Sequence, residues 1–427
     1  MENKQLSLKN WQGIICVMGV DWGDSGKGRL IDDLSSRAHV IARYSGGSNT
    51  GHTVKNHFGK FALHITPSGI FNPDALCLVG RNVAVNLKVL EKEIEELQKA
   101  KISIKNLKID ANAHLTMPWH IKRDEQKEKL RAKKIGTTGN GVGPTYADRT
   151  ERTGLRVKDL FLKDFAAKLK TEIAIQNKFY DLSLNFKVIF SEYKNYASLI
   201  KQHTADTTAL LHQAISTNKN ILFEGAQGWL LDIDAGTYPF VTSSNPGVVG
   251  ITRCFDLHPS KIDRVIGITK SYMTRVGAGP MPTKIEGTLR SKIIEKGQEF
   301  GTTTGRERDP GWLDLAAIKK ACAVNGVTDI AVTKMDVLSG IGDLKICTKY
   351  TIGGKESDYP SNDADQMAKC RPIYQELKGW SEDLTKIRDF EKLPQESKNY
   401  IKEIKKYTNV PVSFISVGPE RGQVIYV

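Results

Sequence analysis

Apolar residues enter this chain in short runs closed by glycine, and each run predicts one element. Ile14-Ile15-Cys16-Val17-Met18 has no polar position, which predicts a strand buried on both faces of a parallel sheet. It passes into Gly23-Asp24-Ser25-Gly26-Lys27-Gly28, after which Leu30-Ile31-Asp32-Asp33-Leu34 opens a helix. Leu87, Leu90, Ile94 and Leu97 recur at helical spacing, and the alternation of Ile102, Ile104, Leu107 and Ile109 predicts a strand behind them. Residues 220–223, 265–269, 329–333 and 412–415 are further strand candidates. Asp309-Pro310 reads as an N-cap with a first-turn proline, opening a helix that stops at Asn325-Gly326. Strand, polar loop and helix in repeated succession predict an α/β fold with a large, mostly parallel central sheet flanked by helices. No repeat and no Pro/Ser-rich linker divides the chain, so 1–427 is read as a single domain.

The composition narrows the function classes. Forty per cent of the 427 residues are hydrophobic, which excludes a disordered chain, a disulfide-stapled mini-protein and a collagen-like repeat. Lys and Arg number 62 against 48 Asp and Glu, a net charge of +14. That excess fits nucleic acid, polyanionic small substrates or a solvated lysine-rich surface. The densest basic stretch, 122–134, interleaves Asp124, Glu125 and Glu128, as an exposed helix does, and lacks the aromatic residues of a nucleic-acid platform. No nucleic-acid partner is therefore expected. The six cysteines have no zinc-ligand or disulfide pattern. A polar N-terminus, no apolar run near the ~20 residues of a membrane span and no lipidation motif predict a cytoplasmic protein without a membrane partner.

Chemistry is concentrated in six loops. The first, 21–29, follows a strand and precedes a helix, so its glycine amides and Lys27 suit a phosphate. It is not a Walker A sequence: Asp21 stands where the first glycine is required, and Gly28 where Ser or Thr would hold Mg²⁺. Asp24, a carboxylate inside an anion loop, calls for a metal or a proton to accept. In the second loop, Gly46 to Thr53, His52 lies between glycine and threonine, a poor place for packing and a good one for an acid or a phosphate contact. The other eight histidines have surface or packing settings. The third loop, 136–144, is followed by Arg149, Arg152 and Arg156, whose guanidinium forks suit phosphate. The fourth, 224–228, offers Gln227 as donor and acceptor for a purine edge. The fifth, 301–308, carries two arginines able to clamp a carboxylate. In the sixth, Thr333-Lys334-Met335-Asp336 with 416–419, the Asp336 carboxylate can accept the N1–H and 2-amino hydrogens of guanine.

Seven motifs in order now resemble the adenylosuccinate synthetase family: Trp-Gly-Asp-x-Gly-Lys-Gly at 22–28, Asn-x-Gly-His-Thr at 49–53, Ile-Gly-Thr-Thr-Gly at 135–139, Phe-Glu-Gly-Ala-Gln-Gly at 223–228, Thr-Tyr-Pro-Phe-Val-Thr-Ser-Ser-Asn at 237–245, Thr-Thr-Gly-Arg at 303–306 and Thr-Lys-x-Asp at 333–336. The resemblance implies a fold like the P-loop NTPases without a standard Walker A motif, and a homodimer that condenses IMP and L-aspartate at the expense of GTP with Mg²⁺. It makes Asp24, His52, Lys27 and Gln227 catalytic, with Asp24 and the Gly51 backbone as metal ligands. It assigns IMP to Asp24, Ser25, Gly26, Lys27, Asn49, Thr50, Gly51, His52, Thr138, Gln227, Thr242 and Arg306, with Arg152 reaching in from the neighbouring subunit. GTP falls to Gly23, Asp24, Ser25, Gly26, Lys27, Gly28, Arg29, Gly51, His52, Thr53 and Arg308, and its base to Lys334, Met335, Asp336, Ser416, Val417, Gly418 and Pro419. L-aspartate falls to Thr302, Thr303, Thr304, Gly305, Arg306, Glu307 and Arg308. The alternative substrate is a 2-amino purine monophosphate such as (d)GMP.

Four positions depart from the family pattern, which has Gln at Asp21, Glu at Ser25, Arg at Asn140 and a basic or small residue at Glu307. Glu307 is expected to weaken the hold on L-aspartate. Ser25 and Asn140 are read as having replaced an ion pair together. Ser25→Glu combined with Asn140→Arg should then be tolerated better in kcat/KM than either single change, and additive effects would overturn that pairing.

Overall fold

A strand with six successive buried residues needs cover on both sides. In the computed structural model, which describes residues 7–301 and 305–427, Ile14–Gly19 obtains it at the middle of a ten-stranded sheet. Counting only the strands of that sheet, they are β1 (Ile14–Gly19), β2 (Val40–Arg43), β3 (Leu76–Val79), β4 (Leu107–Asp110), β5 (Thr204–Ala205), β6 (Ile221–Gly228), β7 (Arg264–Lys270), β8 (Asp329–Thr333), β9 (Val412–Ser416) and β10 (Val424–Tyr426). Their order in space is β10-β9-β8-β7-β1-β6-β2-β3-β4-β5. Every neighbouring pair is parallel except β9 with β10.

Side chains alternate between two cores. Ile14, Cys16 and Met18 of β1 pack with Phe223 on one face, while Ile15 and Val17 pack with Leu222 and Ile41 on the other. Because the strands run parallel, their carboxyl ends share one edge, where the loops after β1, β2, β6, β8 and β9 all emerge. β1 lies between β6 and β7, so the chain builds the sheet first toward β5 and later toward β9. A reversal of this kind leaves a crevice at the carboxyl edge, where open α/β sheets bind ligands.

The flanking helices follow the sequence with three differences. Helix α1 (Lys27–Leu34) starts at Gly26, whose φ of 85° only glycine adopts readily, and α2 (Leu87–Lys99) is capped by the Asn86 side chain. Ile102 and Ile104 are buried but lie outside any strand; the Ile102 N–H closes the end of α2 on the Leu97 carbonyl, and pairing begins only at Leu107. Asp309–Gly311 is a strand paired with Met273–Arg275, not a helix start. Proline tolerates that short pairing, and the Asp309 carboxylate binds Lys284 and Arg290 instead of capping. The helix α5 (Leu315–Asn325) is capped by Asp314 and ends at Gly326. Before it, α3 (Pro118–Leu130) carries the basic stretch but is not wholly solvated: Arg123 and His120 are buried against Asp148 of α4 (Val142–Glu151).

The cap of α5 gives a pH-dependent stability. Asp314 accepts from the Ala317 N–H at 2.9 Å and from the Tyr350 hydroxyl, and burial pushes its carboxyl up to about 6. The folded state then binds a proton that the unfolded chain has released, so this group's contribution falls as pH rises from about 4 to about 6. Asp314→Asn keeps an acceptor for the cap and removes the titration. Urea unfolding at pH 4 and pH 7 should shift in favour of the variant by up to about 3 kcal/mol at the higher pH; parallel profiles would refute the assignment.

Candidate active site

The loop after β1 is organised by a carboxylate removed from water. Asp21 Oδ1 accepts from the Gly23 N–H at 2.9 Å and the Ser25 hydroxyl at 2.6 Å, and Oδ2 accepts from the Thr269 hydroxyl at 3.4 Å. Burial raises its pKa, opposed by Lys27. Lys27 is also buried, which lowers its pKa against the pull of Asp21 and Asp24, and its ammonium donates to the Gln227 carbonyl at 2.5 Å. The end of β6 presses on this loop so closely that a Cβ at Gly228 would lie 2.1 Å from the Asp21 carbonyl oxygen. Ser25 therefore bonds to Asp21, and no hydrogen bond joins it to Asn140 among the described residues. Asp21 thus places a carboxylate within hydrogen-bond reach of position 25.

His52, at the start of a short hairpin, lines the cleft and has one ring nitrogen paired with protein and one unpaired. Nδ1 contacts the carboxylate of Glu224, which also accepts from the Ser68 N–H at 2.8 Å and the Ser68 hydroxyl at 2.6 Å. Nε2 is buried without a partner. Glu224 is held below the usual carboxylate range: burial works against that, and His52 and Arg43 outweigh it. For His52 burial dominates and lowers its pKa, with Glu224 opposing. A neutral ring donating Nδ1–H to an ionised Glu224 satisfies both. Beside it, the Gln227 amide donates to Asn49 Oδ1 at 3.1 Å and to the Thr50 hydroxyl, and Asn49 reaches Thr242 at 3.5 Å.

The loops outside the sheet close over this edge. Arg308 Nε donates to Asp24 Oδ2 at 2.9 Å, and Arg306 donates to the carbonyls of Gly136 and Thr137 at 3.2 and 3.4 Å. Thr333 at the end of β8 donates to the Ser25 carbonyl at 2.8 Å, joining the sixth loop to the first. Burial pushes the Asp336 carboxyl up. Asp24, Gln227 and Lys334, with Arg152 elsewhere, all hold left-handed backbone at φ between 51° and 71°. Such strain in non-glycine residues concentrates at functional sites.

One cleft of about 930 Å³ gathers most of the expected residues. Gly23 to Gly28, Asn49 to Thr53, Thr138, Gln227 and Thr242 line it, together with Arg306, Arg308, Lys334, Asp336, Gly418 and Pro419. Met335, Ser416 and Val417 are buried beneath the loops and do not line it. Arg29 is also outside; it ties down the loop after β9 by donating to the carbonyls of Gly418, at 2.9 Å, and Glu420. Gly305 and Glu307 lie outside the lining, and Arg290 neutralises Glu307 at 2.9 Å, so the negative charge expected to weaken L-aspartate binding is already paired. Thr302, Thr303 and Thr304 lie outside the described residues. Arg152 lines a separate hollow with Arg149, Arg156 and His114. Sequence reasoning missed Glu224, Glu299 and Arg275. The last stacks 4.0 Å above the Trp22 ring, and burial lowers its pKa to about 9. No signal in the neighbouring sequence pointed to them, because their partners lie on distant strands and loops.

For a metal, the Asp24 carboxylate and the Gly51 carbonyl are hard oxygen donors on the same cleft. No group of three or more His, Cys, Asp or Glu able to hold an ion occurs among the described residues. Mg²⁺ fits such a site because it takes few protein ligands and completes its shell from phosphate and water. No helix among the described residues is long and apolar enough to cross a membrane.

A model of the adenylosuccinate synthetase family matches residues 16–425. The chain is similar to the fully ligated adenylosuccinate synthetase from Plasmodium falciparum, at 32% identity over 97% of this chain and 100% of that one, with a TM-score of 0.93. It also shares its fold with the cyanophage S-2L succinoaminodeoxyadenylate synthetase (PurZ), whose structure holds dGMP with dATP as energy donor, at 16% identity over 98% of this chain and 96% of that one, with a TM-score of 0.63.

The His52–Glu224 geometry is checked by nitrogen-correlated NMR of the imidazole. Because the His52 pKa lies below its ordinary value, the ring at pH 7.5 should be the neutral Nδ1–H tautomer, and Glu224→Gln should mix the tautomers. An imidazolium signal at pH 7.5 in the wild-type protein would contradict the assignment.

Proposed function

The chain belongs to the adenylosuccinate synthetase family of GTP-dependent ligases, and from that premise we propose that it joins L-aspartate to IMP through a 6-phosphoryl-IMP intermediate, releasing GDP and phosphate. What supports this reading is the convergence of Asp24, Lys27, His52, Gln227, Arg306, Arg308, Lys334 and Asp336, from separate loops, on one cleft.

In this reading Asp24 takes the N1 proton of IMP, and O6 becomes the nucleophile toward the γ-phosphorus of GTP. The O6–P bond forms as the bond to the GDP oxygen breaks. The amine of L-aspartate then attacks C6, phosphate leaves with O6, and the amine loses its surplus proton. His52, neutral in the empty cleft, takes up a proton at Nε2 when the phosphates arrive, so that the imidazolium held by Glu224 donates to the transferring phosphoryl, and Lys27 adds a fixed charge, because positioning and electrostatics do most of the work in phosphoryl transfer. Asp24 and the Gly51 carbonyl would hold Mg²⁺, which would supply charge neutralisation at the phosphates. Gln227, fixed by Asn49 and Thr50, orients the purine, with Ser25, Gly26, Thr138, Thr242 and Arg306 around it. Lys334, Asp336 and the 418–419 backbone take guanine. Arg308 exchanges Asp24 for a carboxylate of L-aspartate, which frees Asp24 for its proton. Arg152, away from its own cleft, serves a neighbouring copy in a homodimer, and residues 1–427 work as one unit in the cytoplasm.

A second reading keeps the chemistry and changes the purine to a 2-amino monophosphate such as dGMP. The likeness to the cyanophage enzyme favours it, and guanylate also carries an N1 proton for Asp24. IMP is preferred because the relative named for it is twice as similar in sequence.

Purified protein with IMP, GTP, Mg²⁺ and L-aspartate should yield adenylosuccinate, and dGMP should react at least about tenfold more slowly at equal concentration. Asp24→Asn should lower kcat by about 10²–10⁴-fold with an unchanged circular dichroism spectrum. Faster turnover of dGMP would select the second reading, and an active Asp24→Asn would remove the base.

A further inference from the structure

Glu299 has no exposed side-chain surface, yet it meets three cations. Its Oε1 accepts from Lys334 Nζ at 2.7 Å, Lys270 Nζ at 3.0 Å and the Tyr272 hydroxyl at 2.5 Å. Its Oε2 accepts from Lys270 Nζ at 2.9 Å and Arg308 Nη1 at 2.9 Å. Lys270 is fully buried at the end of β7 and bonds the Thr274 hydroxyl as well. Burial lowers its pKa to about 8, while its cationic neighbours hold Glu299 far below the carboxylate range despite burial.

Neutralising buried Lys270 requires one carboxylate and nothing more. Glu299 does more than that. Lys334 and Arg308 line the cleft, Lys334 from the loop after β8 beside Asp336, Arg308 from the loop that reaches Asp24. The Lys334 ammonium is also fixed by the Gly297 carbonyl at 2.6 Å. Two cleft cations from different loops thus take their orientation from one buried anion, and moving either changes what the other is offered.

We propose that Glu299 is a positioning residue that couples the nucleotide end of the cleft, through Lys334, to the amino-acid end, through Arg308. The names of the two ligands, GTP and L-aspartate, rest on the proposed function. The ligand that arrives first orders the shared cluster, so the second has less ordering left to do and binds more tightly, and linkage makes the effect equal in both directions.

The wild-type protein supplies the first test, by calorimetry with IMP present throughout. GDP at saturation should tighten L-aspartate binding by at least about fivefold, and L-aspartate should tighten GDP equally; independent affinities overturn the proposal. The second uses Glu299→Gln, which should raise KM for both GTP and L-aspartate by about tenfold, leave KM for IMP unchanged, and abolish the coupling. Glu299→Gln with Lys270→Met replaces the buried ion pair by a neutral pair and restores the fold if the single variant loses it. The two raised KM values should persist in the double variant; their return to wild-type values would reduce Glu299 to a counter-ion for Lys270. A change in only one of the two KM values also overturns the coupling. Failure of the wild-type protein to form adenylosuccinate is a separate outcome, which removes the proposed function, while the calorimetry still reads whether the two ends communicate.

Discussion

The arrangement of the cleft depends on one buried carboxylate, that of Asp21. Removed from water, it must find donors, and it finds them in the Gly23 amide, the Ser25 hydroxyl and the field of Lys27. Those contacts fold the loop after β1 back on itself, so that Gly26 can start α1 and Asp24 can face outward. The same loop must clear Gly228 at the end of β6, which carries Gln227, and is fastened by Thr333 at the end of β8. Three strands that never meet in sequence are thus brought to one level by the loop that Asp21 orders.

Local interactions were readable from the chain, and interactions between distant segments were not. The apolar runs of β1, β6, β7, β8 and β9 predict their strands because burial on both faces favours consecutive apolar residues, and the buried polar ones, such as Glu224, Lys270 and Asp329, each have a partner. Asp309-Pro310 misleads because the same dipeptide serves a helix start and a short edge strand, and only the partner strand at Met273–Arg275 decides. Ile102 and Ile104 alternate as a strand does, yet their burial comes from closing a helix. Arg123 looks like one more solvated charge until Asp148 of the next helix takes it inside.

The site divides in the same way. Asp24, Lys27, His52, Gln227 and Asp336 stand in loops whose composition already calls for chemistry, and the fold brings all of them to one cleft. Glu224 stood in one of those loops but gave no sign that it would turn to His52, 172 residues away, and Glu299 gave none of its three cations. A buried carboxylate is recognised by its donors, and donors from other strands leave no local signature. Met335, Ser416 and Val417 show the converse: they share a motif with residues of the cleft but are buried in the core.

The charge of the chain acquires a more local meaning. Seven basic and three acidic side chains line the cleft among the described residues, so its excess is positive although Asp24, Asp124 and Asp336 belong to it. That balance suits polyphosphates and a dicarboxylate held together, and two of the three acids are engaged within the protein, Asp24 by Arg308 and Asp124 by the Gly141 N–H. Free carboxylates there would repel each anion in turn. The departures at Asp21 and Ser25 obey the same constraint. The Asp21 carboxylate, buried like the Ser25 hydroxyl it accepts from, orders the loop's glycines with Lys27 beside it. Glu307, paired with Arg290 outside the lining, places its charge where the cleft does not feel it.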